Sequence, residues 1–319
     1  MHTRQLTIAI WFALCSLFLL QSPALSKSQK QENKSIIFPE KISLGNFYYL
    51  KNTDIRSSVI QTGNTKVRMQ AQGVVTVPKE GFSYLSAGYV LGESLQPLAK
   101  LKADDLQILK LNKLAFPDSE LKYLSGLTGL IRLELDSTDV TDDGVKALAK
   151  LQNLAYLSLA RTLITGKTLG ELAPLKKLKD LQLGHNQICD GNLDGAKAIP
   201  NLLALRIQAC QLNDKDLIAV GQMKSLTSLT LHENSKLTDK GIQHLAKLPK
   251  LRYIDIGQTK VTVPGMNVLK ACPLETIRVD IAQFNANQLS QLRAAFPKAS
   301  VNEEKNGGHM DPELFAPLH

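Results

Sequence analysis

Aromatic residues make up only 5% of this 319-residue chain, with a single Trp. The core therefore cannot rest on large rings, and leucine recurs in their place. A core drawn again and again from one aliphatic residue type points to internal repetition. Cysteine is as thin. Of four, Cys15 lies in an N-terminal apolar run, which leaves Cys189, Cys210 and Cys272. An odd number without paired spacing excludes a disulfide framework. There is no Gly-rich phosphate loop, G-x-S-x-G elbow, H-E-x-x-H or C-x-x-C, so the chain reads as a non-enzyme without cofactor. Past residue 26 no apolar stretch approaches the roughly 20 residues that a spanning helix needs.

The start of the chain has three parts. Arg4 sits in a short polar segment, Leu6 to Leu20 is apolar and uncharged, and Gln21 to Ser26 is polar and helix-breaking, with small residues at Ala24 and Ser26. That pattern predicts a signal peptide over 1–26 cut after Ser26, hence a secreted or periplasmic protein with no membrane span after cleavage.

Positive charge is in surplus: 38 Lys and Arg against 29 Asp and Glu, a formal net charge of +9. Such a balance favours anionic partners, and an envelope-associated binder of acidic polysaccharide or cell wall is one reading. The lysines look unclustered along the chain. Lys146, Lys150, Lys176, Lys177, Lys197, Lys224, Lys247 and Lys250 are scattered over helical segments, as a solvated outer face requires.

From Leu106 onward the sequence repeats. Leu106, Leu130, Leu154, Leu178, Leu202 and Leu226 are spaced by 24, and Leu251 and Leu274 follow. Aliphatics recur three and five residues after each, so L-x-x-L-x-L occurs eight times in phase. The L-x-L part alternates as a strand with one buried face must. The second half spaces apolar residues as a helix does, for example Val145, Leu148 and Leu151. In the turns Thr141-Asp142-Asp143-Gly144 and Thr238-Asp239-Lys240-Gly241, Asp142 and Asp239 are placed to cap the coming helix. Residue nine of the unit (Thr138, Thr162, Asn186, Cys210, Thr259) should turn inward and satisfy backbone groups. One strand and one return helix cannot bury their own apolar face, but stacked units can. The predicted fold is an α/β solenoid with a parallel sheet on the concave face and helices on the convex face.

These repeats resemble the leucine-rich-repeat family, in its 24-residue variety with a Thr-Asp-x-Gly turn, and are similar to bacterial secreted members. The resemblance covers residues 93 to 302 and implies a binding scaffold, not a particular partner. Around it, 27–36 reads as a linker, 37–92 as a small β module or N-terminal cap, and 303–319 as a flexible tail. An enzyme site in the β module is the remotest reading, because that module has no His or Cys.

Function should lie on side chains pointing out of the sheet. They include Arg132, Tyr156, Asp180, Gln182, Arg206, Gln208, His232 and Tyr253, expected to stand in solvent and to bind a protein or peptide, as does Ser158 beside them. The face is polar and mixed in sign. It lacks the basic stripe with interleaved aromatics that nucleic acid requires and any apolar groove for lipid. His185 and His232 belong to repeats two strands apart, about 10 Å, without a third ligand, so no metal site is expected.

Overall fold

The computed structural model describes residues 32–51, 67–188 and 190–304. The expected signal peptide, Cys15, Cys189 and the chain beyond 304 lie outside the described residues.

Fourteen strands are described: β1 Asn33–Ile37, β2 Gly45–Leu50, β3 Val67–Gln70, β4 Val74–Pro78, β5 Phe82–Ala87, β6 Ile108–Lys110, β7 Arg132–Glu134, β8 Tyr156–Ser158, β9 Asp180–Gln182, β10 Ala204–Arg206, β11 Ser228–Thr230, β12 Tyr253–Asp255, β13 Thr276–Asp280 and β14 Ser300–Glu304. Twelve form one sheet in the order β14 down to β5, then β2 and β3. From β5 to β14 all neighbours are parallel and consecutive in the chain. Leu109 pairs with Leu133, Leu157 with Leu181, and Leu205 with Leu229, so the sequence phase is the sheet register. This is the expected α/β solenoid.

A three-residue strand has no stability alone. It persists because the leucines on either side of it are removed from water. Leu106, Leu109, Leu111 and their equivalents in each repeat belong to one continuous core. Each fully buried Leu contributes about 1.5–3 kcal/mol. Little chain is left for the outer layer, whose helices are short. Asp118–Leu124 and Asp142–Leu148 have seven residues each, others are single 3₁₀ turns such as Leu169–Leu172, and only the closing helix Ala286–Ala295 reaches ten among the described residues.

Position nine turns inward as expected. The Thr138 hydroxyl donates to Leu135 O at 2.7 Å, and Asn186 donates to Leu159 O and Leu183 O at 2.7 and 2.8 Å. Cys210 Sγ lies 3.2 Å from Leu183 O, and burial pushes its thiol up to about 12, so it stays protonated and unreactive. Asn234 completes the column, donating to Ile207 O and Leu231 O.

The Thr-Asp-x-Gly turn works differently from the expectation. Thr141 and Thr238 are the helix caps, each accepting from a backbone N–H two residues on. Asp142 and Asp239 instead reach the next repeat. Asp239 accepts from Thr262 N at 2.7 Å and Thr262 Oγ1 at 2.6 Å, and Asp142 does the same for Thr165. Asp118 and Asp214 treat Thr141 and Thr238 likewise. Asp is used because its two oxygens can take an N–H and an O–H at once. The glycine makes the approach possible: a Cβ on Gly241 would stand 2.6 Å from Asp214 Oδ1, and Gly144 and Gly265 face Asp118 and Asp239 as tightly.

At the N-terminal end, β5 pairs with β6 and β2 with β5, so the β module continues the repeat sheet. Its Phe47, Val75 and Leu85 share the solenoid core. The segment read as a linker over 27–36 is, from Asn33, strand β1, paired with β4 in a separate ribbon and burying Ile36. Its alternation is hidden because the inward Lys34 is polar, donating to Asp104 O at 2.7 Å, while the outward Ile37 is apolar. Glu303 and Glu304, assigned to the tail, extend β14 alongside β13.

The clamp predicts a coupling. Asp239→Ala should cost about 1–3 kcal/mol by removing two inter-repeat hydrogen bonds. Gly265→Ala should cost a similar amount through the clash, about 1–3 kcal/mol. Together they should cost clearly less than their sum, because the alanine no longer meets a carboxylate. Additive losses in denaturant titrations would show that the glycine is conserving backbone freedom only.

Candidate binding face

The out-of-sheet residues of β7 to β13 line the face opposite the leucine core, as the alternation requires. Their accessibility differs from the expectation. Arg132, Tyr156, Asp180, Gln182, Arg206 and Tyr253 are between 0 and 7% exposed, and Ser158 is buried too. These side chains lie along the sheet and engage one another. The Arg132 guanidinium sits 3.5 Å above the Tyr156 ring and holds Glu134 at 2.7 Å. Lys110 approaches the other oxygen of Glu134 at 3.3 Å. Arg206 pairs with Asp180. With its amide oxygen turned toward Arg206, Gln182 accepts from Nε and Nη1 at 3.2 and 2.8 Å. Further along, Arg278 donates to the Tyr253 hydroxyl at 3.4 Å and faces Asp255 at 3.9 Å. Ser158 donates to Asp136, whose carboxyl burial pushes above its usual range. The centre of the face is thus a ladder of neutralised charges.

Accessible groups stand at the strand-exit rim. Lys113, Ser137, Arg161, His185, Ala209, Glu233 and Gln258 occupy the same repeat position, and all have φ between 51° and 63°. The chain turns left-handed there to leave the strand, and the turn throws these side chains outward. Such a conformation costs a non-glycine residue about 1–2 kcal/mol, which the stacked repeats must offset. Arg161, His185 and Glu233 are exposed, and Gln208 and His232 are half-buried. Arg161 lies 3.5 Å from His185 Nε2, while His232 bridges Glu233 at 3.1 Å and Asp255 at 3.8 Å. Although its side chain reaches solvent, partial desolvation against the sheet, then the Arg161 charge, hold His185 below its ordinary 6.5. Gln208 Oε1, just past β10, and Ser228 Oγ and Thr230 Oγ1, in the ladder's own columns on β11, are buried and have no hydrogen-bond partner among the described residues. No group of three or more His, Cys, Asp or Glu among the described residues could hold a metal ion.

Of the residues expected at the site, Gln208 and His232 are therefore accessible, and the other six form the layer beneath. Arg161, His185 and Glu233 carry the exposed chemistry. The signal that marks them is their place one to two residues past L-x-x-L-x-L, where the strand must end.

The family model for the leucine-rich repeat matches residues 128–188. Among solved structures, internalin C2 of Listeria monocytogenes str. 4b F2365 is similar at 28% identity and a TM-score of 0.46, covering 61% of this chain and 80% of that one. An internalin of the same strain, inlF, is similar at 17% identity and a TM-score of 0.35, covering 66% of this chain and 78% of that one. No curated protein matches the sequence. Among the described residues, no helix is long and apolar enough to cross a membrane.

Ladder and rim predict opposite phenotypes. Arg206→Ala strands the buried Asp180 carboxylate and should cost about 3–5 kcal/mol in unfolding experiments. Arg161→Ala, on the exposed rim, should change stability by no more than about 0.5 kcal/mol. A titration of His185 by NMR should give a value below 6.5, and Arg161→Gln should raise it. The depressed value means that His185 contributes full stability above 6.5 and loses it as pH falls through the folded-state value. A His185 that titrates at or above 6.5 would contradict both its partial desolvation and the Arg161 charge beside it.

Proposed function

We propose that this leucine-rich-repeat protein is an exported, non-catalytic interaction scaffold that holds a protein or peptide partner along the concave face, at the strand-exit rim of the central repeats. The observation that carries the reading is the set of buried, unsatisfied acceptors and hydroxyls on Gln208, Ser228 and Thr230. Each such group costs about 1–3 kcal/mol while it lacks a partner, and donors brought by a bound chain would supply one. Beside them the rim offers both signs of charge and a neutral imidazole, which suits a polar polypeptide more than a lipid or a nucleic acid. The ladder of Arg132, Tyr156, Asp180, Gln182, Arg206 and Tyr253 keeps this edge rigid, so little ordering entropy is lost on binding. Export is supported by the three-part N-terminal pattern.

The test uses the full chain as bait in its native extracellular or periplasmic fraction, with wild type and an Arg161→Ala, Gln208→Ala, His232→Ala variant compared side by side. A partner that binds the rim should lose about 2 kcal/mol or more, roughly thirtyfold, in the variant, with melting unchanged. Retained affinity in that variant, together with loss in Tyr89→Ala, would place the site on the N-terminal module, where Tyr89 is 84% exposed. The recovered bait should begin near Lys27. An intact residue 1–26 segment on cytoplasmic protein would sink the export reading.

A further inference from the structure

The lysines that look scattered in the sequence are gathered by the fold. Lys150, Lys176, Lys177, Lys224, Lys247 and Lys250 lie in the turns that lead from the outer helices into the strands, not on helices. All six are exposed. Hydrogen bonds show that these turns stack on one another along one edge of the solenoid. Asn153 donates to Thr128 O at 2.7 Å, Lys177 to Asn153 Oδ1 at 2.6 Å, Asn201 to Lys176 O at 2.9 Å and Lys224 to Lys247 O at 3.2 Å. Residues 23 to 25 apart in the chain are thereby neighbours.

The charge on this edge is one-sided. The six strand-entry segments 148–155, 172–179, 196–203, 220–227, 245–252 and 269–276 hold ten cationic residues and a single carboxylate, Glu275, which Arg252 pairs. Lys197, on the helical piece before its turn, faces Asp194 at 3.8 Å. The strand-exit turns on the other edge carry more carboxylates than cations. At about 4.8 Å per strand, the six entry turns span roughly 24 Å. Like charges gathered along a row repel, and a polyanion laid over them relieves the repulsion.

We propose that this strand-entry edge binds a linear acidic polysaccharide laid along the stacked turns. Three features choose that occupant. Every one of the stacked turns contributes at least one cation, with three each in 172–179 and 245–252, which suits a polymer carrying anionic groups along its length. Nearly all are lysines, flexible point charges that need no planar bidentate anion. The same six segments contain no Phe, Tyr or Trp, so the bases of a single-stranded nucleic acid would find nothing to stack on. The exposed large hydrophobic residues of the described chain all lie elsewhere, so the edge is no lipid-insertion surface either. This site is separate from the proposed rim site and stands whether or not the rim reading holds.

The experiment titrates the full chain with polygalacturonate, dextran sulfate, uncharged dextran and a single-stranded DNA homopolymer, at low and physiological salt. The edge variant carries Lys150→Gln, Lys176→Gln, Lys247→Gln and Lys250→Gln, side chains that make no hydrogen bond or ion pair in the folded structure's described contacts. Its control carries Lys167→Gln, Lys215→Gln, Lys236→Gln and Lys260→Gln, the same charge change on the opposite edge. The expected result is binding to one or both acidic polysaccharides, weakened by salt and lowered about tenfold or more in the edge variant, with at most about a twofold change in the control. The two polymers distinguish carboxylate from sulfate as the preferred group. Equal losses in both variants would reduce the effect to net charge and overturn the proposal. So would tighter binding of the DNA, or binding of neither acidic polysaccharide.

Discussion

Every feature of this molecule depends on the register between one repeat and the next. Strands β6 to β12 are three residues long and the helices between them no longer than seven, so no unit folds by itself. What fixes the register is a pairing of unlike devices. The leucines supply the energy of burial and set which face turns inward, whereas the Asp–Thr clamps supply directional bonds from repeat to repeat. A carboxylate of one repeat accepts from both the N–H and the hydroxyl of a threonine in the next, and at Gly144, Gly241 and Gly265 a glycine leaves the gap open. The clamp runs from Asp118 to Thr141 and Asp142 to Thr165, and again from Asp214 to Thr238 and Asp239 to Thr262. Between these runs the direction reverses, with Asp216 accepting from Gly191 N at 2.8 Å. Register through the middle repeats then rests on the core and on the inward column of Thr162, Asn186, Cys210 and Asn234.

The parts of the fold that were legible in the sequence are those with one cause. Leu133 and Leu157 had to be buried because alternation allows nothing else, and position nine had to turn in because freed carbonyls need donors. Where two causes compete, the sequence misled. Asp142 and Asp239 follow a threonine, and both residue types cap helices; only the glycine two residues later, set against the previous repeat's carboxylate, distinguishes cap from clamp. Residues 33–36 look like linker because Asn33, Lys34 and Ser35 are polar, yet Lys34 takes an inward place by donating to the carbonyls of Asp104 and Asp105.

The candidate site was half legible for a similar reason. Alternation tells which way a side chain leaves the strand and says nothing about whether it then stands up or lies down. Arg132 lies down over Tyr156, and Arg206 turns to Asp180, because on strands about 4.8 Å apart a long side chain reaches its neighbour's partner. Charged residues on such a face complete one another before they meet any ligand. The rim escapes this, since the left-handed turn at Arg161, His185 and Glu233 lifts the side chains away from the sheet.

That internal neutralisation decides where the surplus charge can act. Arg132 with Glu134, Arg206 with Asp180, and Arg278 near Asp255 make the middle of the concave face nearly silent at long range. A buried pair presents a dipole, whose field falls faster with distance than that of a free charge. The positive surplus of the chain is therefore expressed at its periphery, by exposed lysines of which a large share stand on one edge. A partner of the concave face would be recognised by contacts made at close range, and its affinity should depend little on salt. Anything drawn to the edge would be recognised from beyond a Debye length, about 8 Å at physiological ionic strength, and released by salt. One repeat thus produces two surfaces of unlike physics, because stacking gathers the strand-entry turns on one edge, where lysines from several turn positions meet almost no carboxylate to neutralise them.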